Sequence, residues 1–306
     1  MQKLILRSNL CPGDILTMTA AIESLHLTYP GQYATDVRTP ASEIWQHNPR
    51  ITPISDEDSE ARKLDLHYPS INRCNQEPVP FVGGYCEYLG QQLGVSLSMR
   101  VNRPCLYLAD PEKAWIDQIQ HHVTQGRRVP FWLVNAGVKS DYTAKGWPIE
   151  HFQEVVDGTR GRIQWVQVGA REHGHPELRG TIDLRGQTDH RQLIRLVYHC
   201  QGGLGPVTYL QHLCAAWEKP YVCLLGGREP VTWTQYPLQH TLHTLGALDC
   251  CRTTACWRSR VVPLQDNDPK DTSLCVWPVM GLARAAAKCM AIITPDEVLA
   301  VLTRLL

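Results

Sequence analysis

The stretch KLILRSNLCPGDILTMTAAIESLHLTYPGQYATDVRT, residues 3–39, reads in three pieces. KLILRS (3–8) is a short apolar run, too short for a helix and suited to a buried strand. From 14 to 28 the apolar residues Ile15, Leu16, Ala20, Ile22, Leu25 and Leu27 recur at helical spacing, and Tyr29-Pro30-Gly31 stops the pattern. YATDVRT then reads as a second strand, and LDLHYPS (64–70) as a third. Strand, helix and strand in this order predict a parallel sheet with crossover helices. In this reading Asp14 lies just past the carboxyl end of the first strand, where α/β sheets bind ligands. A plainer role is available to it, since Asp favours helix N-termini.

The alternation extends along the chain. VGGYCEYLGQQLGV (82–95) predicts a helix with a glycine stop, and DPEKAWIDQIQHHV (110–123) a helix with proline in its first turn. TQGRRVP follows as a loop. FWLVNAG (131–137) restarts the pattern, followed by helix WPIEHFQEVVDGT, strand IQWVQVG, helices DHRQLIRLVYHC and VTYLQHLCAAWEK, and strand PYVCLLGG. TPDEVLAVLTRLL (294–306) closes the chain as an amphipathic helix with Thr294 and Glu297 as a capping box. Two α/β halves are expected, split within 108–128: residues 1–108, and residues 109–306, which include a cysteine-rich segment (250–289) and the closing helix. Their facing strand ends would form a cleft.

Composition narrows the function. Of 306 residues 43% are apolar, ordinary for a globular protein. Thirty basic and thirty acidic side chains cancel, which argues against a dominant nucleic-acid surface. No stretch has the length of a membrane span or of a signal-peptide core, so a cytoplasmic location is expected. Twelve cysteines in that compartment point to metal binding or reactivity rather than disulfides. Cys251 and Cys256 lie five apart, with Cys275 and Cys289 beyond. A close pair with two more distant thiols suits a closed tetrahedral zinc or iron site, with Cys250 an alternative to Cys251. DNDPKD (266–271) lacks the glycine and terminal glutamate of a calcium loop and reads as a solvated turn. Cys105, Cys214 and Cys223 sit in apolar runs as core thiols.

Four segments together resemble one family. GDILTMTAAIESLHLTYPG (13–31), AKGWPIEHFQEVV (144–156), VQVGAREH (166–173) and HLCAAWEKPYVCLLGGREPVTW (212–233) are similar, in order, to segments of the ADP-heptose:lipopolysaccharide heptosyltransferases. The resemblance implies a GT-B fold of two Rossmann-like domains and inverting transfer with no catalytic metal. The first half would face the acceptor and the second the nucleotide-sugar donor, with an ADP-sugar favoured. It implies Asp14 as the base that takes the acceptor's proton, Lys145 on the donor diphosphate and Glu172 on the ribose. Thr208 would meet the phosphates from a helix N-terminus. Glycines 226 and 227 would let backbone approach a phosphate or sugar, and Arg228 would add charge. The sequence departs from the family at Val207, Thr208 and Tyr209, where the family has Asp-Ser/Thr-Gly. His212 is kept and reads as a packed helix histidine. The segment 250–289 resembles the iron-holding cysteine finger of heptosyltransferases that modify bacterial autotransporters. The acceptor, saccharide or protein, and the oligomeric state are left open. A sugar-nucleotide epimerase and a non-catalytic nucleotide-sugar- or partner-binding module are the alternatives.

Overall fold

The computed structural model describes residues 1–114, 119 and 129–306. Two parallel sheets organise it. The first has the order β2-β1-β3, with β1 (Gln2–Arg7) between β2 (Tyr33–Arg38) and β3 (Arg62–Asp65). Leu4, Ile5 and Leu6 are all fully buried, as a parallel strand covered on both faces requires. Helix α1 (Pro12–Thr28) starts two residues before its apolar pattern. Pro12, whose φ is already helical and whose missing N–H costs nothing there, takes the first turn. Asp14 is therefore the third helical residue rather than the cap.

α1 is buried without a break from Ile15 to Leu25 because it packs on both sides. One neighbour is α2 (Phe81–Leu93), which stops at Gly94 with φ +71°; the other is helix Tyr209–Ala216 of the second half. Gly13 lies against His212, where a Cβ would come within 3.1 Å of the imidazole. One apolar cluster thus runs from Leu4 and Leu16 to Leu213 and Trp233.

The second sheet has the order β6-β5-β4-β7-β8-β9, all parallel. Its strands are β4 (Trp132–Val134), β5 (Trp165–Gln167), β6 (Ile182–Asp183), β7 (Gly202–Pro206), β8 (Tyr221–Gly226) and β9 (Gln239–His243). The direction of winding reverses between β4 and β7, which makes their carboxyl ends the topological switch point. The closing helix spans Pro295–Leu305 with the expected Thr294–Glu297 capping box, and it lies on helix Ile149–Gly158. Of the helix expected over 110–123, the described part is a turn, α3 (Asp110–Lys113). The rest of that expectation, most of the following loop and most of the split at 108–128 lie outside the described residues.

The cysteine-rich segment carries a short antiparallel pair, β10 (Pro278–Val279) and β11 (Ala286–Ala287). Its DNDPKD stretch is more than a solvated turn. The guanidinium of Arg260, 1% exposed, takes Asp266 at 2.7 and 2.8 Å, touches Asp271 and lies 3.7 Å from Asp268. An internal cation gathers these carboxylates.

Candidate active site

Residues that follow the carboxyl ends of β1, β3, β4 and β8 meet between the two halves. Asp14 closes the first turn of α1, its Oδ2 accepting from the Cys11 backbone N–H at 3.1 Å. Its Oδ1 accepts from the Tyr68 hydroxyl at 3.0 Å, just beyond β3. Burial raises the Asp14 carboxyl above the ordinary carboxylate range, against the opposing pull of Tyr68, Lys145 and Cys11. Burial beside Asp14 pushes the Tyr68 hydroxyl far upward, so it serves as a donor. The Tyr68 ring is held by Phe81 at 4.5 Å, Tyr85 at 5.1 Å and, across the cleft, Trp233 at 5.8 Å between centroids.

Lys145 is close enough to act on Asp14 from the second half. Its Nζ lies 2.8 Å from Glu229, on the loop after β8. Burial works to raise the Glu229 carboxyl, but Lys145 and Arg228 together hold it below its ordinary range. Arg228 is buried: its Nε donates to Arg258 O at 2.6 Å, its guanidinium touches Glu229, and it lies over the rings of Tyr142 and Trp257. It faces Glu229 and the cysteine-rich segment. That segment also reaches the first half, because the Asn75 amide donates to Ala255 O at 3.0 Å and its oxygen accepts from Ala255 N and Trp257 Nε1.

At the switch point Asn135 Nδ2 donates to Thr208 Oγ1 at 3.3 Å. Thr208 stands at the N-terminus of helix Tyr209–Ala216 with its hydroxyl making no capping bond there. Glu172 sits exposed on a short turn, Arg171–His173, beyond the carboxyl end of β5. Nearby, the buried His175 ring lies flat on Gly137 and Gly169, and burial lowers it to about 4. His212 is buried, lowered to about 3 by burial, and bonded through Nδ1 to the Tyr236 hydroxyl at 2.8 Å. It is a satisfied packed histidine.

The sequence reading did not single out Tyr68, Glu229, Asn135 or Asn75. Glu229 stood in plain view beside Arg228 in GGREP; Tyr68 could be found only by its contact with a residue 54 positions away.

The cysteine-rich segment differs from expectation. Cys251 and Cys289 both abut the Gly226–Gly227 turn, Cys256 N donates to Gly227 O, and the Cys289 thiol senses Cys256, Cys275 and Cys251. The four thiols are gathered, yet among the described residues no group of three or more His, Cys, Asp or Glu is arranged to hold a metal ion. Cys251 Sγ donates to Thr244 O at 3.5 Å.

Residues 117–255 match the profile of Glycosyltransferase family 9 (heptosyltransferase). No curated protein matches the chain. Among solved structures, a family 9 glycosyl transferase from Veillonella parvula is similar at 14% identity and TM-score 0.64, over 80% of this chain and 87% of that one. The ADP-heptose LPS heptosyltransferase II of E. coli is similar at 15% identity and TM-score 0.59, over 100% of this chain and 98% of that one. The dodecameric iron-containing heptosyltransferase TibC, from enterotoxigenic E. coli, was solved with ADP-D-β-D-heptose. It is similar at 17% identity and TM-score 0.64, over 99% of this chain and 76% of that one. At these identities the structures speak for the fold, a mixed α/β architecture with parallel sheets. The family 9 match supports glycosyltransferase activity.

Proposed function

We propose that the chain is an inverting glycosyltransferase that moves a sugar, heptose by preference, from an ADP-sugar to an acceptor hydroxyl. The observation that carries this reading is Asp14: a half-buried carboxylate with a raised pKa past the carboxyl end of β1, held by Tyr68 and the Cys11 N–H, on which the charge of Lys145 acts from the opposite half. A general base works best when its pKa is brought toward the operating pH, and burial does that here. In the proposed step the acceptor oxygen attacks the anomeric carbon from the face opposite the diphosphate while its proton passes to Asp14. The bond from that carbon to the diphosphate oxygen breaks, and its electron pair stays with the leaving ADP. Lys145 balances the charge that grows on the phosphate. Thr208, with the N–H groups of its helix, meets the phosphates, and Glu172 accepts from the ribose hydroxyls. Arg228 acts from behind, through Glu229. The acceptor belongs to the first half, residues 1–108, and the donor to the second, 109–306.

We place an iron or zinc ion with Cys251, Cys256, Cys275 and Cys289: the Cys251 and Cys289 side chains abut the Gly226–Gly227 turn, and the Cys256 backbone N–H bonds to Gly227 O. The ion would tie the segment down and has no part in the transfer. Among the described residues no helix is long and apolar enough to cross a membrane.

One observation favours a non-catalytic nucleotide-sugar-binding module: Val207 is buried where the resembled family carries an acidic residue. A thermal-shift panel of ADP-, GDP-, UDP- and dTDP-sugars tests donor binding, because a ligand of the native state raises the melting temperature. ADP-heptose is expected to give the largest shift, and a panel with no shift refutes the reading. ADP release from ADP-heptose that stops on Asp14→Ala separates the enzyme from the module.

A further inference from the structure

Asp14, Lys145, Glu229 and Arg228 form a row of alternating charge from the cleft into the second half. Their exposures are unequal. The Lys145 side chain is 22% exposed, that of Glu229 4% and that of Arg228 7%. Lysine alone in its ion pair reaches solvent. Behind it Glu229 is fixed: Pro230 follows it, and Arg228 is pinned on Tyr142, Trp257 and the Arg258 carbonyl. A buried ion pair adds little net stability but sets geometry well. A lysine side chain is long and flexible, and its aim depends on what holds its tip.

We infer that Glu229 is a positioning residue for a nucleoside diphosphate: it anchors Lys145 Nζ at the cleft beside Asp14, so that the incoming phosphates meet a cation already in place. This rests on the reading of Lys145 as the diphosphate contact. The remaining Lys145 N–H donors stay free for phosphate oxygens, while Arg228 keeps the Glu229 charge neutralised from the buried side. Because Arg228 is braced by Trp257 and Arg258, the aim of Lys145 is tied to the cysteine-rich segment.

The test is calorimetric binding of ADP and of adenosine to the wild type, to E229D, to Lys145→Ala and to the double variant. E229D keeps the formal charge and withdraws it by one methylene, so it changes where the carboxylate holds Lys145 without removing it. ADP affinity should fall about tenfold in E229D, as small misplacements of a binding group do, while adenosine binding stays unchanged. In the Lys145→Ala background E229D should have no further effect. Wild-type ADP affinity in E229D, equal losses for ADP and adenosine, or a loss that persists without Lys145 overturns the inference. ADP binding unaffected by Lys145→Ala overturns instead the reading of Lys145 on which it rests. If E229D shows no cooperative melting, the isosteric E229Q enters the same comparison, and an effect on ADP that is absent, or that survives in the Lys145→Ala background, decides against Glu229.

Discussion

Replacing Tyr68 by Phe removes one oxygen and leaves the ring that packs on Phe81, Tyr85 and Trp233. The lost bond is the 3.0 Å donation to Asp14 Oδ1. Hydrogen bonds to charged groups contribute about 1.5–3 kcal/mol. Without that bond to its charged form, the Asp14 carboxyl rises further. The direction follows from the structure, because the Tyr68 bond opposes the burial that already raises this carboxyl. A carboxyl raised in the folded state binds protons more readily there than in the unfolded chain. Its stabilising contribution is present at acid pH and is lost as pH rises through the folded value. The variant extends that loss to higher pH. Its melting temperature should therefore lie close to wild type near the ordinary carboxylate range and fall increasingly below it toward neutrality. The acid limb of the rate profile for ADP release should move to higher pH. A melting deficit constant with pH, together with an unmoved acid limb, would refute the claim that Tyr68 acts on Asp14 and reduce its hydroxyl to packing.

Three further outcomes follow from the geometry. Asp14→Ala should slow transfer by roughly 10²–10⁴-fold, the usual contribution of a general base, while ADP still binds; turnover at the wild-type rate excludes Asp14 as the base. Gly202→Ala should destabilise the fold by about 1–3 kcal/mol, as overpacking does, because its Cβ would come within 2.5 Å of the Trp132 ring; denaturant unfolding measures this, and an unchanged midpoint contradicts it. Elemental analysis should find about one iron or zinc per chain, with chelation lowering the melting temperature; metal-free protein whose melting is unchanged by Cys256→Ser removes the metal from the proposal.

Much of the framework was legible because strands and helices announce themselves by apolar spacing. β1, α1, β8 and the closing helix fall where that spacing puts them. β7 did not announce itself. Its sequence, GGLGP, has the composition of a loop, yet it is a fully buried central strand. Its glycines answer to neighbours: Gly202 to Trp132, and Gly203 to Tyr221 and Cys214. Nothing local in a sequence states how bulky the adjoining strand will be. DNDPKD is the exposed turn it was read as, but its order around Arg260 was not legible, since that partner lies upstream and is seen as buried only once the chain is folded. At the candidate site, Asp14 and Lys145 could be named from a resemblance, whereas Tyr68 and Glu229 owe their significance to contacts made across the fold. The thiols were expected to meet, and two of them, Cys251 and Cys289, do come together at the Gly226–Gly227 turn.

The apolar cluster that joins Leu16 to Leu213 also constrains how the molecule comes apart. Each half uses the other to cover α1 and helix Tyr209–Ala216. Loosening either half uncovers apolar surface on its neighbour, so the free energies of the two are coupled, and heating should melt them in one transition rather than two.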